Sequence, residues 1–125
     1  MARTKSPHLT DAELRLMEVL WQKGPSTVAA VAEEVAKVAP LAYSTVLTTL
    51  RILENKGYVR HRKQDRAFVY RPVVQRNKAQ DNALKHLLRR FFEDSPELLV
   101  LNLLERKKIS PDELARLRTR IEEKK

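Results

Sequence analysis

Five residues in one short stretch carry groups that can read a polyanion: Tyr43, Ser44, Thr45, Thr48 and Arg51. At helical spacing they fall on one side of a segment whose other side is the apolar row Val46, Leu50 and Leu53. Hydroxyls both donate and accept, so they suit phosphate oxygens and base edges alike. A guanidinium can take guanine bidentately or hold a phosphate. The threonine methyls and Leu47, at the flank, suit a thymine methyl. A second group follows, with Arg60, Arg62, Lys63 and Arg66 close together. Between residues 51 and 71 stand seven basic residues against two acidic ones, over half of the net charge of +9 in about a sixth of the 125 residues. Clustered positive charge of this kind neutralises phosphates and supplies most non-specific affinity for a nucleic acid.

Other chemistries find no support. His8, His61 and His86 lack metal-ligand spacing, so no metal site is expected. Glu33-Glu34 and Glu122-Glu123 are adjacent on helices and splay apart, which rules out an acid/base couple. Ser44 has no evident general base, no Gly-rich loop cradles phosphate, and cysteine is absent. The expectation is a protein without catalytic residues or cofactor. Residues 1–8 are basic and polar, unlike a signal peptide. The longest apolar run, Leu98 to Leu104, is far below the roughly 20 residues that span a bilayer. A cytoplasmic protein with no membrane insertion is expected.

The elements that must position these groups are legible in the capping and period. Thr10-Asp11-Ala12-Glu13 is a capping box, and Leu14, Met17, Leu20 and Trp21 recur behind it, giving a helix over 11–23 that stops at Gly24-Pro25. Ser26 or Thr27 caps a second helix with Val28, Val31, Ala32 and Val35 inward, stopped by Pro40. The third runs over 43–56 to Gly57. Then the period becomes two. Residues 58–62 and 67–71 alternate as strands joined by 63–66, with Tyr58, Arg60 and Arg62 on one face and Val59 and His61 on the other. Three helices and a hairpin in this order predict a winged helix-turn-helix at 1–73, its third helix entering the major groove.

Residues 74–125 read as helices again: a long one from about 75 to 94, a short one opened by Ser95-Pro96, and a last one opened by Ser110-Pro111-Asp112-Glu113. The fold class is thus mainly α with a small β-hairpin. A burial problem arises in this second part. Leu84, Leu87, Leu88, Phe91 and Phe92, then Leu98, Leu101 and Leu104, then Leu117 and Ile121 exceed what three short helices can hide. A two-fold partner solves it, so 74–125 is read as a helical dimerisation domain and the protein as a homodimer. Two recognition helices about one DNA turn, or a multiple of it, apart then require a double-stranded operator with dyad symmetry.

Stretches along the chain now become familiar. Leu9-Thr10-Asp11-Ala12-Glu13-Leu14, Val19-Leu20-Trp21, Leu41-Ala42-Tyr43-Ser44-Thr45-Val46-Leu47-Thr48-Thr49-Leu50, Lys56-Gly57-Tyr58-Val59 and Arg66-Ala67-Phe68-Val69-Tyr70 resemble the penicillinase-repressor (BlaI/MecI/CopY) family over roughly 9–121. The resemblance implies a homodimeric winged-helix repressor that occupies a dyad operator and blocks transcription, dimerising through its C-terminal helices. In one branch a membrane sensor-protease responds to a β-lactam antibiotic, and the repressor is cut at an Asn-Phe bond in its dimerisation region. Asn102-Leu103 resembles that site, with Leu103 where the branch has Phe. The copper-responsive branch uses C-terminal cysteines, which this chain lacks.

Two other readings fit the residues. One is a winged-helix regulator that senses a small ligand. The other is a winged-helix interaction module whose basic face meets an acidic protein.

Overall fold

The structure, a computed structural model, describes residues 8–124; the basic stretch at residues 1–7 and Lys125 lie outside the described residues. The chain runs α1 (Asp11–Lys23), β1 (Ser26–Thr27), α2 (Val28–Ala36), α3 (Tyr43–Asn55), β2 (Val59–Gln64), β3 (Ala67–Pro72), α4 (Arg76–Phe91), α5 (Pro96–Glu105) and α6 (Pro111–Glu123). Its first part is a winged helix-turn-helix.

Helix α1 begins at the predicted capping box. Thr10 Oγ1 accepts the Glu13 N–H at 3.1 Å and Glu13 Oε1 accepts the Thr10 N–H at 3.0 Å. The inward face differs from the expected one by a residue: Leu16 is buried with Met17 and Leu20, whereas Leu14 is 41% exposed. The seven apolar residues of this helix span more than one face, and the placement of α2 and α3 decides which turns inward. Gly24 ends the helix at a φ of 81°, where a side chain would be strained. Thr27, not Ser26, caps α2, its hydroxyl accepting the Ala30 N–H at 3.1 Å. Val28, Val31 and Val35 then face the core, as the spacing predicts.

The hairpin gains a third strand that the sequence does not announce. Ser26 and Thr27 pair antiparallel with Tyr70 and Val69, so the sheet order is β1-β3-β2. Strand β2 starts at Val59, and Tyr58 lies buried before it. The turn needs only two residues, Asp65 and Arg66, because Gln64 already pairs with Ala67. Asp65 takes a left-handed φ of 57°, which aspartate tolerates better than most residues. Lys63 therefore belongs to the strand rather than to the connection.

The core is aliphatic, from Leu16, Met17, Leu20, Val31, Val46, Leu50 and Leu53, closed by Tyr58 and Tyr70. The chain divides into two compact units, one ending at Ala83 and the other starting at Leu84. That division lies inside α4, ten residues beyond the 73/74 boundary read from sequence. The reason is physical: Val74 and Ala79 are buried in the winged unit's core, so the opening turns of α4 belong to it.

The second unit is described by itself. Helix α4 ends at Phe91, earlier than expected, because Glu93 and Asp94 adopt left-handed φ values of 50° and 62°. Ser95 caps α5, with Pro96 in its first turn, and Ser110 and Glu113 form the second capping box, which opens α6. No residue of α5 or α6 is buried. Among the described residues, no helix is long and apolar enough to cross a membrane.

Candidate nucleic-acid interface

Helix α3 has two chemically distinct sides. Val46, Thr49, Leu50 and Leu53 are buried. Thr49 is tolerable there because its hydroxyl donates to the Thr45 carbonyl at 2.8 Å. The opposite side exposes Tyr43, Ser44, Thr45, Thr48 and Arg51 together, with Tyr43 57% exposed. Leu47 is half-buried against the core. Ile52, 41% exposed beside Arg51, joins this outer side; its spacing from Thr45 and Thr48 was the available signal.

The wing is fastened to α3 by a joint without a sequence signature. His61 Nδ1 lies 2.8 Å from both Glu54 carboxylate oxygens, and the His61 backbone N–H donates to Glu54 Oε2 at 3.2 Å. The imidazole meets Phe68 edge-on at 5.1 Å and Tyr70 tilted at 5.2 Å. Tyr70 is buried, which pushes its phenol up; the nearby Glu54 carboxylate adds to this, and Arg51, paired with the hydroxyl, opposes it. Thus His61 serves as a structural tie between the wing and α3.

The register sorts the basic residues of the hairpin. His61 pairs with Tyr70 and Lys63 with Phe68, and these share the α3-side face. Arg60 opposite Arg71, and Arg62 opposite Val69, occupy the other face, while Arg66 sits in the turn. The four predicted wing cations therefore do not form one row. Arg60 and Arg62 are together as expected, Lys63 is across the sheet from them, and Arg66 is at the tip.

Other basic residues here are neutralised locally. Lys56 meets the buried Glu13 at 2.7 Å, and Lys23 and Lys37 share Glu34 at 3.1 and 3.0 Å. Among the described residues no carboxylate lies within ion-pair distance of Arg51, Arg60, Arg62, Lys63, Arg66 or Arg71. Arg60 and Arg71 even face each other directly, an arrangement that opposes pairing. Charge left uncompensated on one region is an electrostatic footprint for a polyanion. Among the described residues no three metal-ligating side chains converge.

The apolar residues of the second unit are mostly uncovered. Phe91 and Ile121 are 69% and 62% exposed, and Leu84, Leu87, Leu98, Leu101 and Leu117 are exposed as well. Phe92 and Leu104 are half-buried, and Leu88 alone of this set is buried. Asn102 and Leu103 are half-buried within α5.

Comparisons with known proteins agree with this architecture. The family described as penicillinase repressor matches residues 9–123. The penicillinase repressor of Bacillus licheniformis is 32% identical over 121 residues, covering 97% of this chain and 94% of the relative. The methicillin resistance regulatory protein MecI of Staphylococcus aureus (strain N315) is 24% identical over 120 residues, covering 96% and 98%. Among solved structures, the DNA-binding domain of the repressor BlaI is similar with a TM-score of 0.54 and 33% identity, covering 61% of this chain and 93% of that one. The monomeric form of Bacillus licheniformis BlaI in complex with the blaP half-operator is similar with a TM-score of 0.51 at the same identity and coverage.

Proposed function

We propose a function from one premise: the chain belongs to the penicillinase repressor family. On that premise it is a DNA-binding transcriptional repressor, a binding protein rather than an enzyme. The observation that carries the reading is the outer side of α3, free of core duties, beside hairpin cations without acidic partners. The solved complex of a relative with a half-operator supports it.

In this reading Tyr43, Ser44, Thr45, Thr48 and Arg51 enter the major groove, and Ile52 adds apolar contact. Arg66 at the tip and Lys63 on the α3-side face take flanking phosphates. Arg60 and Arg62 add longer-range attraction from the opposite face. The protein acts as a cytoplasmic homodimer on a dyad operator, with the exposed apolar residues of α4, α5 and α6 covered by a second copy. If each subunit neutralises about five phosphates, log affinity falls with log salt at a slope near −9. A gel-shift titration of the chain on its own promoter DNA across salt concentrations tests this. Salt-insensitive binding, or no shift at physiological salt, refutes it.

Derepression follows from loss of the dimer. A peptide bond inside a helix must unwind before a protease can hold it extended. Helix α5 has no buried residue in a single subunit, so unwinding around Asn102-Leu103 is inexpensive whenever the subunits part. Cleavage there, through a membrane sensor-protease, removes the rest of the apolar face. A chain truncated after Asn102 is expected to bind a full dyad far more weakly than the intact chain. Equal binding by both overturns this mechanism.

A further inference from the structure

The segment between wing and α4 resembles a linker in position only. Pro72-Val73-Val74 is stiff and apolar, and each step is held. The Val73 and Val74 N–H groups both donate to the Tyr58 carbonyl, at 2.9 and 3.3 Å. The Val74 side chain is buried, and its carbonyl accepts the Trp21 indole N–H at 2.9 Å. Two residues later, the Arg76 guanidinium meets Glu18 at 2.6 Å and lies 5.3 Å from the centroid of the Trp21 ring. Within the next turns Ala79 is buried and the Asn82 side chain bonds Tyr58.

Val74 and Ala79 belong to the winged core, whereas the indole bond, the Glu18–Arg76 pair and the Arg76–Trp21 contact are polar ties at its edge. Trp21 spends its one donor on the connector, and Arg76 reaches across to α1 from the first residue of α4. An exposed ion pair alone contributes little. Here the pair, the cation–π contact and the indole bond converge on two consecutive turns of α1. Angular stiffness at this root matters because α4 continues unbroken to Phe91. A helix of that length spans about 24 Å, so a swing of roughly 15° at its root moves its far end by about 6 Å. That displacement approaches two base-pair steps along DNA.

We infer that Glu18, Trp21 and Arg76 form a clamp that fixes the direction in which α4 leaves the winged unit. They are positioning residues for the half-site spacing that a dimer accepts. The inference rests on the dimeric, DNA-binding reading above.

The test uses the full chain, its Arg76→Ala variant and its Trp21→Phe variant, which keeps an aromatic ring and loses the N–H. Duplexes selected from random DNA by the wild-type protein supply a half-site, a dyad, and dyads with spacers lengthened or shortened by one or two base pairs. Sedimentation checks the dimer, and hydrogen exchange follows amides 76–83. The expected result is half-site affinity within about twofold of wild type and dyad affinity about tenfold lower. The dimer is unchanged, exchange in the first turns of α4 is faster, and the penalty for altered spacers is smaller. An unchanged spacer profile overturns the clamp. Should wild type bind no duplex, the DNA reading fails, and unchanged exchange in the variants then overturns the clamp separately. Arg76 is half-exposed, so its variant folds even where Trp21→Phe does not.

Discussion

The two units use similar apolar material to opposite ends. In the winged unit Leu16, Leu20, Val31, Leu50 and Leu53 are fully buried, and one subunit completes the core. In the second unit α5 and α6 bury nothing, although α5 is leucine-rich along most of its length. Apolar content therefore does not distinguish a core from an interface; what distinguishes them is whether neighbouring elements of the same chain cover it. In the proposed homodimer a second copy removes this exposed apolar surface from water.

The contrast breaks most sharply by placing a charge in the seam. Leu101→Asp is expected to weaken self-association more than a hundredfold, because an unpaired carboxylate would be buried between copies. Dyad binding should fall with it while the winged unit stays folded. Sedimentation and circular dichroism read both, and an intact dimer would show that Leu101 lies outside any interface. The next effect falls on the other unit. Leu50→Ala leaves a cavity in a closed core and should cost about 3 kcal/mol at any protein concentration. Leu117→Ala should instead lower the melting temperature in a concentration-dependent way. Identical concentration dependence for both would erase the distinction between the units.

Legibility follows the same division between local and assembled features. Both capping boxes, the Val46, Leu50 and Leu53 stripe and the hairpin are set by neighbours three or four residues away or by a period of two, so the chain displays them. Strand β1 has two residues and exists only because β3 docks on it. The Glu54–His61 joint links a helix to a strand across a turn, with no motif to mark it. Lys63 is misread as a loop residue because Asp65 turns the chain tightly without glycine. The outer side of α3 is legible by subtraction: once the inward row is known, what remains is the candidate site.

A smaller effect concerns how the winged unit is closed. Burial raises the Glu13 pKa, but Lys56 and the Thr10 N–H more than offset this, holding the carboxyl below its usual 4.5. A carboxyl with a depressed folded-state pKa stabilises fully above its unfolded value, and the contribution is lost as pH falls through the folded one. Glu13→Gln should therefore cost about 2 kcal/mol near neutrality, since Lys56 loses its ion partner. The cost should vanish in acid, well below pH 4.5. Urea unfolding at both pH values measures it. A cost that persists in acid would assign the effect to capping geometry rather than charge.

The finest comparison lies within the hairpin. Lys63 shares a face with His61, which is bonded to α3, whereas Arg60 and Arg62 point to the opposite face. In the proposed binding mode a duplex on the outer side of α3 meets Lys63 and the tip residue Arg66 before Arg60 or Arg62. Removing a cation that neutralises one phosphate lowers the salt slope by about 0.9, whatever the DNA sequence. A substitution in the proposed homodimer removes two such cations from a dyad, so Lys63→Ala and Arg66→Ala should each lower the slope by about 1.8, and Arg60→Ala and Arg62→Ala by less than half as much. The total positive charge removed is the same in all four variants. Equal slopes would therefore mean that the hairpin acts through its overall field, and unequal slopes that a particular face touches the backbone. The reverse ranking would place the duplex against the face bearing Arg60, Arg62 and Arg71.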